Sequence, residues 1–84
     1  MITRDEAYTI YRNIKRVTEE FCNYTLTHKI HRSAIEGFSN ITVEIPFSID
    51  LEYALEIIRE NGFDVSTDNA VMYIKWGEDK EDEI

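Results

Sequence analysis

One stripe of apolar residues constrains the fold of this chain more than any other feature. The stripe repeats at alternating intervals of three and four residues from Ala7 to Ile35, and the members between them are Ile10, Ile14, Val17, Phe21, Tyr24, His28 and His31. Because an α-helix turns once in about 3.6 residues, this spacing keeps all of these positions on one side of a helix. Thr3 and Glu6 form a capping-box sequence before it, and Gly37 is a typical residue after a helix end. The pattern predicts a helix over residues 4–36 whose stripe faces one partner.

The segment Tyr24–Ile30 admits a second interpretation. Its Tyr, Leu, His and Ile side chains alternate with Thr and Lys, and alternation at period two is typical of a β-strand. From the sequence, a helix interrupted by a strand therefore remains open beside an unbroken helix.

An unbroken helix would be long for a chain of 84 residues. At about 1.5 Å per residue it would measure about 50 Å, whereas a compact domain of this length has a radius of gyration of about 12 Å. One end must therefore overhang or contact a partner. Cys22, Leu26 and Ile30 lie four residues apart on a second apolar face, so we predict a homodimer with these residues at its interface. The alternative is that another part of the same chain covers them.

The remaining apolar patterns predict three short strands. Residues 41–45 alternate apolar and polar side chains, and Pro46 ends that strand. Residues 63–76 contain two further alternating runs on either side of the polar stretch 66–69, which predicts a β-hairpin with its turn there.

A second helix lies between the first strand and the hairpin. Asp50 is its N-cap, residues 51–61 carry the apolar spacing, and Gly62 ends it. The element order is then α-β-α-β-β: an α+β fold in which a long N-terminal helix and a short helix pack with a three-stranded sheet. We expect residues 1–77 to form this single domain and residues 78–84 to form an acidic flexible tail.

Net charge limits the classes of partner. Seventeen Asp and Glu against nine Lys and Arg give a net charge of -8, and a field of that sign repels nucleic acid and anionic membranes. The acidity is confined to one part of the chain, because residues 1–35 carry a net charge of +2 and residues 36–84 carry -10. We therefore expect neither direct nucleic-acid binding nor membrane association.

The single cysteine and the apolar runs indicate the compartment. Cys22 has no second cysteine with which to form an intramolecular disulfide, which favours a reducing environment. The N-terminal residues resemble no secretion signal, and no apolar run approaches the ~20 residues of a membrane span. The sequence therefore predicts a cytoplasmic protein.

A row of acids provides the candidate binding face. Glu52, Glu56 and Glu60 recur every fourth residue on the exposed side of the second helix, where each like-charged pair destabilises an isolated helix by a few tenths of a kcal/mol. The row repeats at about 6 Å, on the scale at which a DNA duplex presents its phosphates. The predicted partner-binding face comprises this row together with acids of the sheet and tail, namely Glu44, Asp64, Asp68, Glu78 and Asp79. The alternative is an acidic surface that serves only solubility.

Catalytic and metal-binding patterns are weak in this sequence. His28 and His31 are three residues apart, but no third ligand is spaced to complete a zinc site with them. Glu19 and Glu20 precede Cys22 and disfavour its thiolate. There is also no glycine-rich phosphate loop and no catalytic triad order, so we expect no enzyme, no cofactor and no metal.

Parts of the sequence resemble small proteins that are common among tailed bacteriophages. The segments that carry the resemblance are Ala34–Gly37, Ile41–Ile45, Gly62–Val65 and Ile74–Trp76. In size and acidity the chain also resembles phage host-takeover proteins that mimic DNA, which include inhibitors of the nucleoid-associated protein HU. This resemblance implies a monomer or dimer whose carboxylates occupy the DNA-binding surface of a basic host protein, although the basic first helix departs from a uniformly acidic mimic.

The first hypothesis is therefore a non-enzymatic acidic inhibitor, in the host cytoplasm if the chain is phage-encoded, that binds a basic nucleic-acid-binding protein. A second is a dimer that holds a nucleotide or other small anion in a groove near Arg12, Arg16, His28 and Arg32. A third is a structural subunit of a phage particle.

Overall fold

A computed structural model of the chain describes residues 1–77. The predicted acidic tail, with Glu78 and Asp79 of the predicted binding face, lies outside the described residues. The elements follow in the order α-β-α-β-β, so the predicted α+β fold with a long N-terminal helix, a short helix and a three-stranded sheet is confirmed.

The N-terminal helix runs without interruption from Arg4 to Ile35. It consists of α1 (Arg4–Glu20), a π-helical segment (Phe21–Leu26) and α2 (Thr27–Ile35). The capping box is present, because Thr3 Oγ1 accepts from the Glu6 backbone N–H at 3.1 Å and the Thr3 N–H donates to Glu6 Oε1 at 3.0 Å. The strand interpretation of residues 24–30 is therefore wrong.

Gly37 ends this helix by adopting a positive φ of 95°. The Gly37 N–H donates to the Ala34 carbonyl at 3.0 Å and the Phe38 N–H donates to the Ser33 carbonyl at 2.9 Å. These two bonds form a Schellman motif, which satisfies carbonyls that the helix end leaves without partners.

The π-helical segment has a packing cause. Thr18, Cys22, Leu26 and Ile30 of the long helix pack into the fold, each four positions after the last, and Phe21 packs against the same core. In an α-helix each such step overshoots a full turn by about 40°, so the four would spiral away from the core. The wider turn of a π-helix takes up an extra residue and keeps them on one face.

The core lies on a different face of the long helix from the one that the 3-4 stripe predicts. Its buried apolar members are Cys22, Leu26, Val43, Ala54, Ile58, Met72 and Ile74. Much of the predicted stripe is exposed instead, including Ile10 at 50 % and Tyr24 and Ile35 at 72 %. The periodicity identifies residues that share a face, but the neighbouring elements decide which face is covered.

The predicted dimer contacts need a correction for the same reason. Cys22 and Leu26 are only 7 % and 2 % exposed within a single chain, and Ile30 is half-buried against the same core. Cys22 and Leu26 therefore have almost no surface left for a second copy, and the prediction that they form a dimer interface is wrong. The alternative, that this chain covers them itself, is confirmed.

The sheet has three antiparallel strands in the order β1-β3-β2. They are β1 (Asn40–Glu44), β2 (Asp64–Asp68) and β3 (Val71–Lys75). The predicted hairpin joins β2 to β3, but β2 continues to Asp68 and the turn lies at Asn69–Ala70 rather than at 66–69. Asn69 adopts a φ of +57° there, a conformation that two-residue hairpin turns require and Asn tolerates.

The short helix α3 (Leu51–Glu60) packs on the same side of the sheet as the long helix. Asp50 caps it as predicted, with Oδ1 accepting from the Tyr53 N–H at 3.2 Å. The buried Thr18 of α1 joins the two helices, because its Oγ1 accepts from the Asp50 N–H at 2.8 Å and donates to the Ile14 carbonyl at 2.7 Å. This side-chain hydroxyl fixes the point at which α1 meets the rest of the fold.

The first part of α1 projects beyond that point. Every residue from 1 to 14 is exposed, and among the described elements α1 contacts only the π-helical segment that continues it and α3. The molecule is accordingly elongated, with principal dimensions of 59 × 22 × 20 Å. The overhang that the helix length predicts is therefore present.

Candidate functional site

Three glutamates form a row on the outer side of α3. Glu52, Glu56 and Glu60 are exposed, while Ala54 and Ile58 of the same helix are buried in the core. At 100° per residue Glu56 points away from the core and the other two glutamates flank it. We call Glu52, Glu56 and Glu60 the acidic ridge, and the predicted grouping of these three residues is present.

Glu19 of α1 joins the end of this ridge through Tyr53. The Tyr53 hydroxyl donates a hydrogen bond to Glu19 Oε2. That bond raises the pKa of Tyr53 to about 12, and the negative charges of Glu19, Glu56 and Glu60 add to the increase. The tyrosine hydroxyl therefore remains a neutral hydrogen-bond donor at physiological pH, and carboxylates of both α1 and α3 lie near it.

A lysine covers the other side of the same tyrosine. Lys15 Nζ lies 4.1 Å from the centroid of the Tyr53 ring and 5.5 Å from that of Tyr11, within the range of cation–π interactions. The boundary between α1 and α3 thus carries both charge signs, whereas the acidic ridge carries three acids, with Arg59 beside it in the last turn of α3.

The acids of the sheet lie elsewhere. Glu44 and Asp68 are both paired with Val71, and Asp64 is paired with Lys75. Paired residues point to the same side of a sheet, and this side is opposite to the one on which Met72 and Ile74 are buried under the helices. Glu44, Asp64 and Asp68 therefore belong to the outer face of the sheet.

The predicted single acidic face is thus two surfaces. The ridge faces outward from the helix layer, and the acids of the strands face outward from the sheet layer, with the core between them. The sequence prediction that Glu44, Asp64 and Asp68 extend the ridge is wrong, because alternation in a strand assigns residues to a face without saying on which face the helices pack.

The predicted anion-binding residues are spread along the long helix. Arg12 and His28 are sixteen positions apart, which corresponds to about 24 Å along a helix axis. Arg12 instead lies over Tyr8, at 5.8 Å from the ring centroid, and Arg32 approaches Glu36 at 3.9 Å on an exposed surface. Within one protomer these bases do not converge on one small anion.

The two histidines also line different surfaces. His31 lines a groove against α3, whereas His28 lies on the side of α2 that faces β1. Among residues 1–77 no group of three or more His, Cys, Asp or Glu side chains is arranged to hold a metal ion.

Sequence patterns do not reveal the apolar groove that lies between the long helix and the end of α3. It has a volume of ≈ 380 Å³, and its lining includes Cys22, Leu26, His31, Asn61 and Phe63. Burial raises the pKa of the Cys22 thiol, which keeps it protonated and a poor nucleophile. The lining comes from distant parts of the chain, so no local motif marks it.

Comparison with known proteins assigns the chain to no family. No protein-family model, no curated protein and no solved structure matches the chain. Within the described residues, no helix is both long enough and apolar enough to cross a membrane.

Proposed function

We propose that this chain is a non-enzymatic interaction protein whose acidic ridge binds a basic nucleic-acid-binding protein and thereby excludes DNA. The observation that supports the proposal is the exposed row of Glu52, Glu56 and Glu60 on the side of α3 that points away from the core. Like charges at this spacing reduce helix stability, so folding alone gives no reason for the row. A complementary basic surface on a binding partner gives such a reason.

The mechanism is occupation of a DNA-binding surface. Carboxylates held at about 6 Å intervals on a rigid helix present fixed negative charge to lysines and arginines that otherwise contact phosphates. Such charge pairs steer association and weaken as salt increases. In line with the resemblance of the sequence, we propose that the chain is a phage protein that acts in the host cytoplasm on a target such as HU.

The test is affinity capture from a nuclease-treated bacterial lysate with a salt gradient for elution. The proposal expects recovery of a basic DNA-binding protein that duplex DNA displaces from the immobilised chain. Reversing the ridge with Glu52→Lys, Glu56→Lys and Glu60→Lys should weaken binding to the recovered protein at least about tenfold.

The outer face of the sheet provides a matched control. Glu44→Lys, Asp64→Lys and Asp68→Lys change the net charge by the same amount on the opposite surface. If both triple variants lose binding equally, net charge alone explains the interaction and the ridge is not the site. Failure to retain any basic protein would reject the proposed function.

A further inference from the structure

The exposed part of α1 presents an apolar stripe that no part of its own chain covers within the described residues. Ala7, Ile10 and Ile14 form this stripe, which we call the projecting stripe, and Tyr11 flanks it. Ile10 is 50 %, Ile14 38 % and Tyr11 52 % exposed. An amphipathic helix obtains most of its stability from packing of its apolar side, and the exposed part of α1, residues 4–14, leaves that side uncovered over about three turns.

We propose that two copies of the chain pair through the projecting stripe as an antiparallel helix pair. The 3-4 spacing from Ala7 to Ile14 continues to Val17, and it is the repeat by which two helices maintain a common seam. A two-fold axis places the same patch of each copy against the other, so the stripe serves as its own partner.

The charges of α1 favour a second copy as the occupant. Arg4–Glu20 contains four Lys and Arg and four Asp and Glu, and is neutral. The described residues that follow the long helix, 36–77, contain eight acids and two bases. Two copies therefore repel each other where residues 36–77 of both approach, whereas the neutral helix α1, which carries the uncovered apolar stripe, meets a second copy without that repulsion.

The charged residues of α1 do not decide the orientation of the pair. At 100° per residue, Asp5 and Arg12 lie on the side of the helix opposite to the projecting stripe, and Lys15 and Arg16 lie more than 100° from its centre. The contact between the two helices is therefore apolar, with packed helices about 8–10 Å apart.

The antiparallel orientation follows from the acidity of the rest of each chain, because this arrangement separates the two acidic bodies. The rest of each chain begins at the C-terminal end of α1, so antiparallel helices carry their bodies at opposite ends of the seam. Parallel helices would bring both bodies side by side, with their like charges adjacent. This dimer does not depend on what the acidic ridge binds.

The first test is the mass of the purified full chain by sedimentation equilibrium over a wide concentration range. The proposal expects a monomer–dimer equilibrium with twice the 9.9 kDa monomer mass as its limit. Ile10→Gln with Ile14→Gln should raise the dissociation constant about a hundredfold or more, because four isoleucine side chains leave the seam. The control, Thr9→Gln with Arg12→Gln on the other side of α1, should change it less than about threefold.

A folding control accompanies both variants. Trp76 packs edge-to-face against Phe63, with ring centroids 6.4 Å apart, remote in sequence from the stripe, so its fluorescence reports the fold of the body independently of dimerisation. A monomeric mass at every concentration overturns the proposal. So does a dimer that survives the isoleucine changes with the body folded.

The orientation is tested by spin-label distances. Glu20→Cys in a Cys22→Ala background carries one label near the C-terminal end of α1. Antiparallel pairing centred on the projecting stripe separates the two labels by about 25–30 Å along the axis, and a parallel pair leaves them about 10 Å apart. The short distance would overturn the antiparallel orientation.

Discussion

The two halves of the long helix share one apolar repeat but have different surroundings. Residues 4–17 present Ile10 and Ile14 to solvent, while residues 18–35 bury Cys22 and Leu26 against the sheet and α3. The first half obeys α-helical geometry throughout, and the second contains the π-helical segment. Packing therefore imposes a distortion that helix propensity alone does not require.

The boundary between the halves is built from polar groups. Thr18 accepts from the Asp50 backbone, and Tyr53 donates to Glu19. Because both contacts join α1 to the first turn of α3, the helix is fixed just where its projection begins. The comparison shows that two polar contacts determine which part of an amphipathic helix enters the core and which part remains available to another molecule.

The largest expected effect comes from changing the length of the π-helical segment. Insertion of one Ala after Asn23 moves Leu26 and Ile30 out of line with Thr18 and Cys22. Loss of burial of two such side chains should lower the free energy of unfolding by about 3–6 kcal/mol, measured by urea denaturation.

Deletion is the matched opposite change. Deleting Asn23 leaves the core residues at successive intervals of four, three and four, which an undistorted α-helix accommodates. We expect the deletion variant to retain its fold, with a change in unfolding free energy below about 1 kcal/mol. Equal destabilisation by insertion and deletion would contradict the packing explanation for the π-helical segment.

Side-chain truncation in the two halves should have unequal costs. Leu26→Ala leaves a cavity in the core and should lower the free energy of unfolding by about 2–5 kcal/mol. Ile10→Ala, measured at a dilution that keeps the chain monomeric, should change it by less than about 0.5 kcal/mol. Similar values for the two variants would mean that the projecting stripe is packed in the monomer.

The buried hydroxyl of Thr18 should contribute less than the core leucine. Thr18→Val keeps the shape but leaves the Asp50 N–H without its acceptor, at a cost of about 1–3 kcal/mol. Thr18→Ser keeps the acceptor and should retain most of that stability. Chemical denaturation of both variants tests this, and an equally stable Val variant would show that the hydrogen bond has no net effect on stability.

The smallest effect is the titration of Tyr53. Its pKa in the folded chain, about 12, lies above the ordinary value of 10.0, so the folded state holds this proton more tightly than the unfolded state. This difference in pKa adds to the free energy of unfolding below pH 10, and the contribution is lost as pH rises toward 12. Tyrosinate absorbance should therefore show one of the five tyrosines titrating late.

Two variants test whether the late component of the tyrosinate titration belongs to Tyr53. Tyr53→Phe should remove the late component, and Glu19→Gln should shift it to lower pH because both the charge and the strongest acceptor are weakened. A late component that is unchanged in both would place it on another tyrosine.

Local chemistry explains which features the sequence predicts. The capping box at Thr3, the glycine after the long helix, the Asp50 cap and the hairpin all depend on residues close together in the chain. The caps and the helix ends are therefore correct to within one residue, whereas the hairpin turn begins three residues later than predicted. The acidic ridge is predicted for the same reason, since i, i+4 spacing places its glutamates on one side of any helix.

Apart from residues 24–30, for which a strand remained open, the sequence by itself determined the order of the elements, the ends of both helices and the residues that share each face. Only the tertiary structure decided which face of the long helix enters the core, and that Glu44, Asp64 and Asp68 lie on the opposite surface from the acidic ridge. The physical reason is that a helix or strand face is defined by local geometry, whereas its burial depends on the elements that pack on it. Those contacts join residues such as Thr18 and Asp50, which are 32 positions apart in the chain.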